Sequence, residues 1–126
     1  MLKTANTALT TVGNGTITGA ALKGQIITRS GPTGAFTDTT DTATNILAAF
    51  PGLAGTVTDP ITFQVKYINT TAYTATLAAD ASVTLNKNTG VADLTVATNT
   101  VATLLITLAP AAGAVTVTVI IRNAAT

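Results

Sequence analysis

The sequence contains no cysteine, histidine, tryptophan or glutamate. Without cysteine, no disulfide or thiolate site is available, and the fold must be held by packing and hydrogen bonds, as suits a reducing cytoplasm. Without histidine, the commonest general base and the commonest zinc ligand are both missing. Ser30 and Ser82 therefore have nothing to activate them, and a Ser–His–Asp triad cannot be assembled. The acidic groups are all aspartates, at positions 38, 41, 59, 80 and 93. Only Asp38 and Asp41 lie close together in sequence. They precede a helical segment, where carboxylates serve as caps, so capping is expected in place of paired-carboxylate chemistry. With the Thr39 and Thr40 carbonyls they offer oxygens for calcium, but the spacing of a calcium loop is absent and no metal is expected. Gly13–Asn–Gly15 and Gly31–Pro–Thr–Gly34 have no lysine in phosphate-loop position, so neither reads as a nucleotide site. The expectation is a protein with no enzymatic activity and no cofactor.

Charge is equally scarce. Charged residues make up 9% of the chain, against about a quarter in an ordinary domain. The basic residues Lys3, Lys23, Arg29, Lys66, Lys87 and Arg122 are scattered, and they are expected to be solvated surface charge. No basic stripe exists to neutralise phosphates, so no nucleic acid is expected as partner. The net charge of +1 leaves little repulsion between copies, which favours self-association. The longest uncharged stretch, Thr95 to Ile121, is interrupted by threonines and by Pro110–Ala–Ala–Gly113. Two strands joined by a turn are expected there. A broken membrane helix would leave unpaired backbone in lipid, and no membrane association is expected.

What the chain does have is threonine and alanine, together about two-fifths of its residues. Threonine is β-branched, and its hydroxyl suits the wet face of a strand. Ile61 to Ile68 alternates cleanly, with Ile61, Phe63, Val65 and Tyr67 on one face. Further strands are expected at 16–18, 24–29, 73–78, 82–85, 91–97, 101–108 and 114–122, with Tyr73, Ala75 and Leu77 inward in the third of these. Repeated Thr-x-Thr suggests a flat threonine face, but the spacing is irregular and no solenoid is expected. Residues 41–50 read as one short helix, stopped by Pro51–Gly52. Length allows a single domain. The fold class expected is mainly β, a β-sandwich or jelly roll over residues 16–126, with a core containing Phe36, Phe50, Phe63 and Tyr67.

Residues 1–15 read as an extended N-terminal arm, because Leu2, Leu9 and Val12 stand isolated among Thr, Asn and Ala. They include no unbroken apolar core of a signal peptide.

The stretch Ser30–Gly–Pro–Thr–Gly–Ala–Phe–Thr–Asp–Thr–Thr, the helix, and Pro51–Gly52 are followed by Ile61–Thr–Phe–Gln–Val–Lys–Tyr–Ile–Asn69, Ala75–Thr–Leu–Ala–Ala79 and Val83–Thr–Leu85. This order resembles the small head-decoration (cement) proteins of tailed bacteriophages, over roughly residues 24–122. The resemblance is compositional and carries over no functional side chain. It implies a structural virion protein on the capsid exterior, made in the host cytoplasm, bound to the major capsid protein and to itself as a homotrimer. Leu2, Leu9, Val12 and Ile17 are then the expected docking residues, and removing residues 1–15 is expected to weaken attachment without harming the fold. The other reading is a receptor- or glycan-binding module of a phage tail fibre or of a cell-surface protein, using loops near Ser30–Gly34 or Asn86–Gly90.

Overall fold

The structure, a computed structural model, describes residues 4–51, 60–87 and 93–124. The chain is mostly strand, with two short helices and mixed sheets. Among the described residues the order is β1 (Ala5–Leu9), β2 (Gly15–Ile17), α1 (Gly19–Gly24), β3 (Gln25–Arg29), β4 (Phe36–Thr40) and α2 (Ala43–Ala48). Then come β5 (Ile61–Asn69), β6 (Ala75–Ala78), β7 (Val83–Lys87), β8 (Thr95–Val96), β9 (Thr100–Ala109) and β10 (Ala114–Ala124). The period-2 pattern works as expected in β5, where Phe63, Val65 and Tyr67 are buried and Thr62, Gln64 and Lys66 exposed. The uncharged stretch forms the antiparallel β9–β10 hairpin, closed by a 3-10 turn at Pro110–Ala112 and by Gly113 at φ 65°. Among the described residues no helix is long and apolar enough to cross a membrane.

Two sheets result, in the strand orders β1-β3-β5-β9-β10-β7 and β2-β4-β6-β8. From β1 to β6 the chain alternates between them. Each strand lies parallel to the one two places earlier: β1–β3–β5 in one sheet, β2–β4–β6 in the other. The first six strands therefore wind as three stacked coils, which the irregular Thr-x-Thr spacing did not lead one to expect. A jelly roll is antiparallel throughout, whereas here parallel pairing dominates the first half of the chain. Antiparallel pairing enters only with β8, β9 and β10. Side chains from both sheets and both helices share one hydrophobic core, which includes Phe36, Phe50, Phe63 and Tyr67 as expected. Tyr73, expected inward, lies before β6 and is exposed.

The N-terminal segment is where expectation and structure part. Residues 5–9 are not an arm but an edge strand in register with Gln25–Arg29. The boundary placed between residues 15 and 16 falls inside β2, which pairs with Asp38–Thr40. A segment poor in apolar residues can join a sheet when backbone pairing and a buried partner hold it, and both do so here. Deleting residues 1–15 removes β1, the turn that Arg29 and Asp38 hold and the first residue of β2, so the fold cannot be expected to survive it.

A second helix, α1, precedes the expected one. Thr18 caps it by accepting from Ala21 N. Gly19 allows α1 to approach α2 closely: a Cβ there would lie 2.8 Å from Ala49 Cβ. The helix expected over 41–50 is α2, capped by Thr42, whose hydroxyl accepts from Asn45 N. Asp41 supports this end, with Oδ1 accepting from Thr42 N and Asn45 Nδ2.

Between β3 and β4 the chain passes under the turn that follows β1. Gly31 has φ 102°, and a Cβ there would stand 2.3 Å from the Thr10 carbonyl oxygen. Gly31→Ala is expected to cost at least about 2 kcal/mol. That corresponds to a Tm lowered by roughly 6–10 °C in thermal denaturation. Gly34→Ala, where a Cβ would meet nothing within 4 Å, is the control and should leave Tm nearly unchanged.

Candidate functional site

Strand parity sends two charged side chains inward. In β3, Ile27 and Arg29 share the buried face; in β4, Phe36, Asp38 and Thr40 do. Both charges are fully buried, so the expectation of solvated surface charge fails for Arg29, and that of a helix cap fails for Asp38, which lies inside β4. They meet directly, with Arg29 Nε 2.8 Å from Asp38 Oδ2. Isolating either charge from water would be prohibitive, and the cluster answers this by occupying every group.

The guanidinium is surrounded by carbonyls. Nη1 donates to Thr11 O and Ser30 O, each at 2.7 Å, and more weakly to Leu9 O at 3.3 Å. Nη2 donates to Gly13 O. The Phe36 ring covers the guanidinium at 4.6 Å from its centre, a cation–π contact. Asp38 accepts from Gly15 N through Oδ1 at 3.0 Å and from the Tyr67 hydroxyl through Oδ2 at 2.5 Å. Arg29 and Asp38 together therefore grip the chain at Leu9, Thr11, Gly13 and Gly15. They fix the whole turn from β1 to β2. Among the described residues no buried side-chain polar atom lacks a partner.

A second polar hub closes the far end of β5. Asn69 is fully buried, and its amide donates to Tyr73 O, Val96 O and Ala97 O at 2.8, 2.9 and 3.2 Å. Its carbonyl accepts from Thr71 N and Thr71 Oγ1. One side chain thus ties β5 to the following loop and to β8. The two hubs touch through the backbone, since Thr70 N and Oγ1 both donate to Arg29 O.

No family model, no curated protein and no solved structure matches this chain.

Burial, and next the hydrogen bond to Asp38, push the Tyr67 hydroxyl far above its ordinary value of 10.0. The protonated phenol is the form the fold favours. Its stabilisation is complete below pH 10 and is lost as pH rises above that. In an alkaline titration followed at 295 nm, wild type and Tyr67→Phe should give superimposable phenolate curves until the protein unfolds. A wild-type excess while the fold persists would place Tyr67 in water. Neither Arg29 nor Asp38 is presented at a cleft, and both are saturated by the protein itself. A void of about 10 Å³ between the sheets, lined by Ile17, Leu22, Thr40 and Leu104 among others, has room for one water at most.

The expected docking residues are not brought together as one surface. Leu2 lies outside the described residues. Leu9 packs half-buried against the core, and its carbonyl is held by Ser30 N and Arg29. Ile17 is a core residue, 2% exposed, and cannot dock a partner. Val12 alone is freely presented, 64% exposed on the turn that Arg29 holds. Asp38 and Asp41 make separate contacts, the first with Arg29 and the second at α2. Among the described residues no cluster of metal-ligating side chains forms. Asp59 and residues 88–90 of the Asn86–Gly90 loop lie outside the described residues.

Proposed function

We propose that this chain is a non-catalytic structural protein of a phage virion, a β-sandwich that binds the outside of the capsid and stabilises the coat-protein shell as an oligomer. The observation that supports this reading best is where the chain's buried charge goes. Arg29 and Asp38, the pair best suited to chemistry, are consumed in fixing backbone. A shell-binding module needs rigidity and many copies, not a reaction. The order of segments between Ser30 and Leu85 resembles that of head-decoration proteins, and on that resemblance the shell in this reading is a phage capsid. Docking cannot rest on a detachable arm containing Leu9 and Ile17, because both are built into the domain. The contact with the major capsid protein is therefore assigned to the folded surface, with Val12 as the exposed apolar residue from the original set.

The test is the copy number of the chain in purified particles, measured by quantitative mass spectrometry against the coat protein. A ratio near one to one is expected. A handful of copies per particle would favour the tail-fibre reading, and absence from particles would overturn the proposal.

A further inference from the structure

The coil built from β1 and β2 ends both sheets on the same side. Among the described residues, β1 has β3 as its only sheet neighbour and β2 has only β4. Two strand edges therefore lie open next to each other, in separate layers. Open edges are templates for further pairing, and proteins usually blunt them with charge or proline. Here neither device is present: Thr4 to Thr18 contains no charged residue and no proline. At the other side of the stack, β7 carries a charge within the strand itself, Lys87, whereas Lys3 and Asp93 each stand in sequence two residues before β1 and β8. Ala5, Asn6 and Ala8 of β1 and Thr16 of β2 are exposed. The edges are also rigid, because Arg29 and Asp38 hold the turn between them at four points. Little conformational freedom is then lost when a partner pairs with them.

We propose that this open coil end is a self-association surface, on which a second copy of the chain pairs β1 with β1 and β2 with β2 around a two-fold axis along the sheet normal. The choice of a second copy follows from the geometry. A single extended peptide covers one edge and leaves the other open. An occupant that satisfies both must present two uncharged edges, of the same lengths, at the same separation. This chain's own open end does so, and a two-fold rotation brings the strands together antiparallel in each layer. Two sheets then become continuous across the dimer. Because β1 and β2 contain no charged residue, pairing each with its copy places no like charges opposite one another within the strands. The inference departs from the homotrimer that the family resemblance implies, and it does not depend on the capsid proposal.

The strands involved are short, so the interface lies at the low end of standard size, and a Kd in the micromolar range is expected. Light scattering of the purified full chain from about 1 to 300 µM brackets that range. The mass should rise from the 12.5 kDa chain toward twice that value. Ala8→Lys and, separately, Thr16→Lys put a charge on each open edge and should hold the mass at one chain, with an unchanged circular dichroism spectrum. Thr84→Lys, on exposed residue 84 of β7, should dimerise like wild type. A wild type that stays monomeric throughout, or one that gives three chains, overturns the proposal. So do folded edge variants that dimerise normally. Should either edge variant fail to fold, the wild-type mass and the other variant still decide.

Discussion

Arg29→Ala is expected to destabilise the domain by at least about 4 kcal/mol, a large share of its whole stability. Removing one partner of a buried ion pair typically costs about 3–5 kcal/mol, because the other charge stays buried alone. Here the loss goes further. The carbonyls of Thr11, Gly13 and Ser30 lose their donor along with Asp38, while Leu9 O keeps Ser30 N. Each one left without water adds a desolvation cost of about 1–3 kcal/mol. A domain of this kind has roughly 5–15 kcal/mol in total. Urea denaturation should find the variant's midpoint far below that of wild type. Arg29→Lys should recover only part of the loss, since one ammonium cannot span a carboxylate and several carbonyls at once. The double variant Arg29→Met/Asp38→Leu removes the stranded charge and should be more stable than Arg29→Ala, though still below wild type. A folded Arg29→Ala within about 1 kcal/mol of wild type would mean that the cluster does not hold the coil.

Asn69→Ala is expected to cost about 3 kcal/mol by a different route. No charge is stranded, but three carbonyl acceptors and two donors lose their shared partner in a dry site. The effect should be local before it is global. β8 is a two-residue strand paired, among the described residues, only with β6, and the Asn69 amide reaches its Val96 carbonyl. Hydrogen exchange should therefore quicken at residues 95–97 more than in β9. Asn69→Asp should be at least as damaging as Ala, although it is nearly isosteric. It keeps the acceptor for Thr71 but turns a carboxylate toward three carbonyl oxygens. An Asp variant as stable as wild type would show that the amide hydrogen bonds contribute little.

Much of the fold was legible because most strands announce themselves by alternation. β5, β9 and β10 follow their apolar faces almost residue for residue, and the Pro110–Gly113 turn marks the hairpin between them. The same alternation also contained the buried cluster. Arg29 is two residues from Ile27, and Asp38 is two from Phe36, so each charge shares the parity of an apolar neighbour. That signal was outweighed in Phe36–Thr40, whose Asp and Thr content reads equally as a helix N-terminus. Nothing local in the sequence pairs Asp38 with Arg29. β1 was hidden for another reason. Ala–Asn–Thr–Ala–Leu has too few apolar residues to declare a buried face, and its place in the sheet comes from β3 pairing and from Arg29. α1, six residues between glycines, has no amphipathic length to betray it. The coil winding could not be read at all, because parallel partners lie roughly 20–40 residues apart and no local pattern encodes them.

Hydrogen–deuterium exchange of the N-terminal segment in the folded wild-type protein tests most directly whether residues 5–17 belong to the domain. Amides in β1 and β2 that pair with β3 and β4, together with Gly15 N on Asp38, should exchange at least a hundredfold more slowly than in an unfolded chain, since even local opening of this coil breaks the cluster. Exchange of residues 5–17 at unfolded rates, with β5 and β9 still protected, would make the segment an arm after all and would contradict both the clamp and the edge surface built on it.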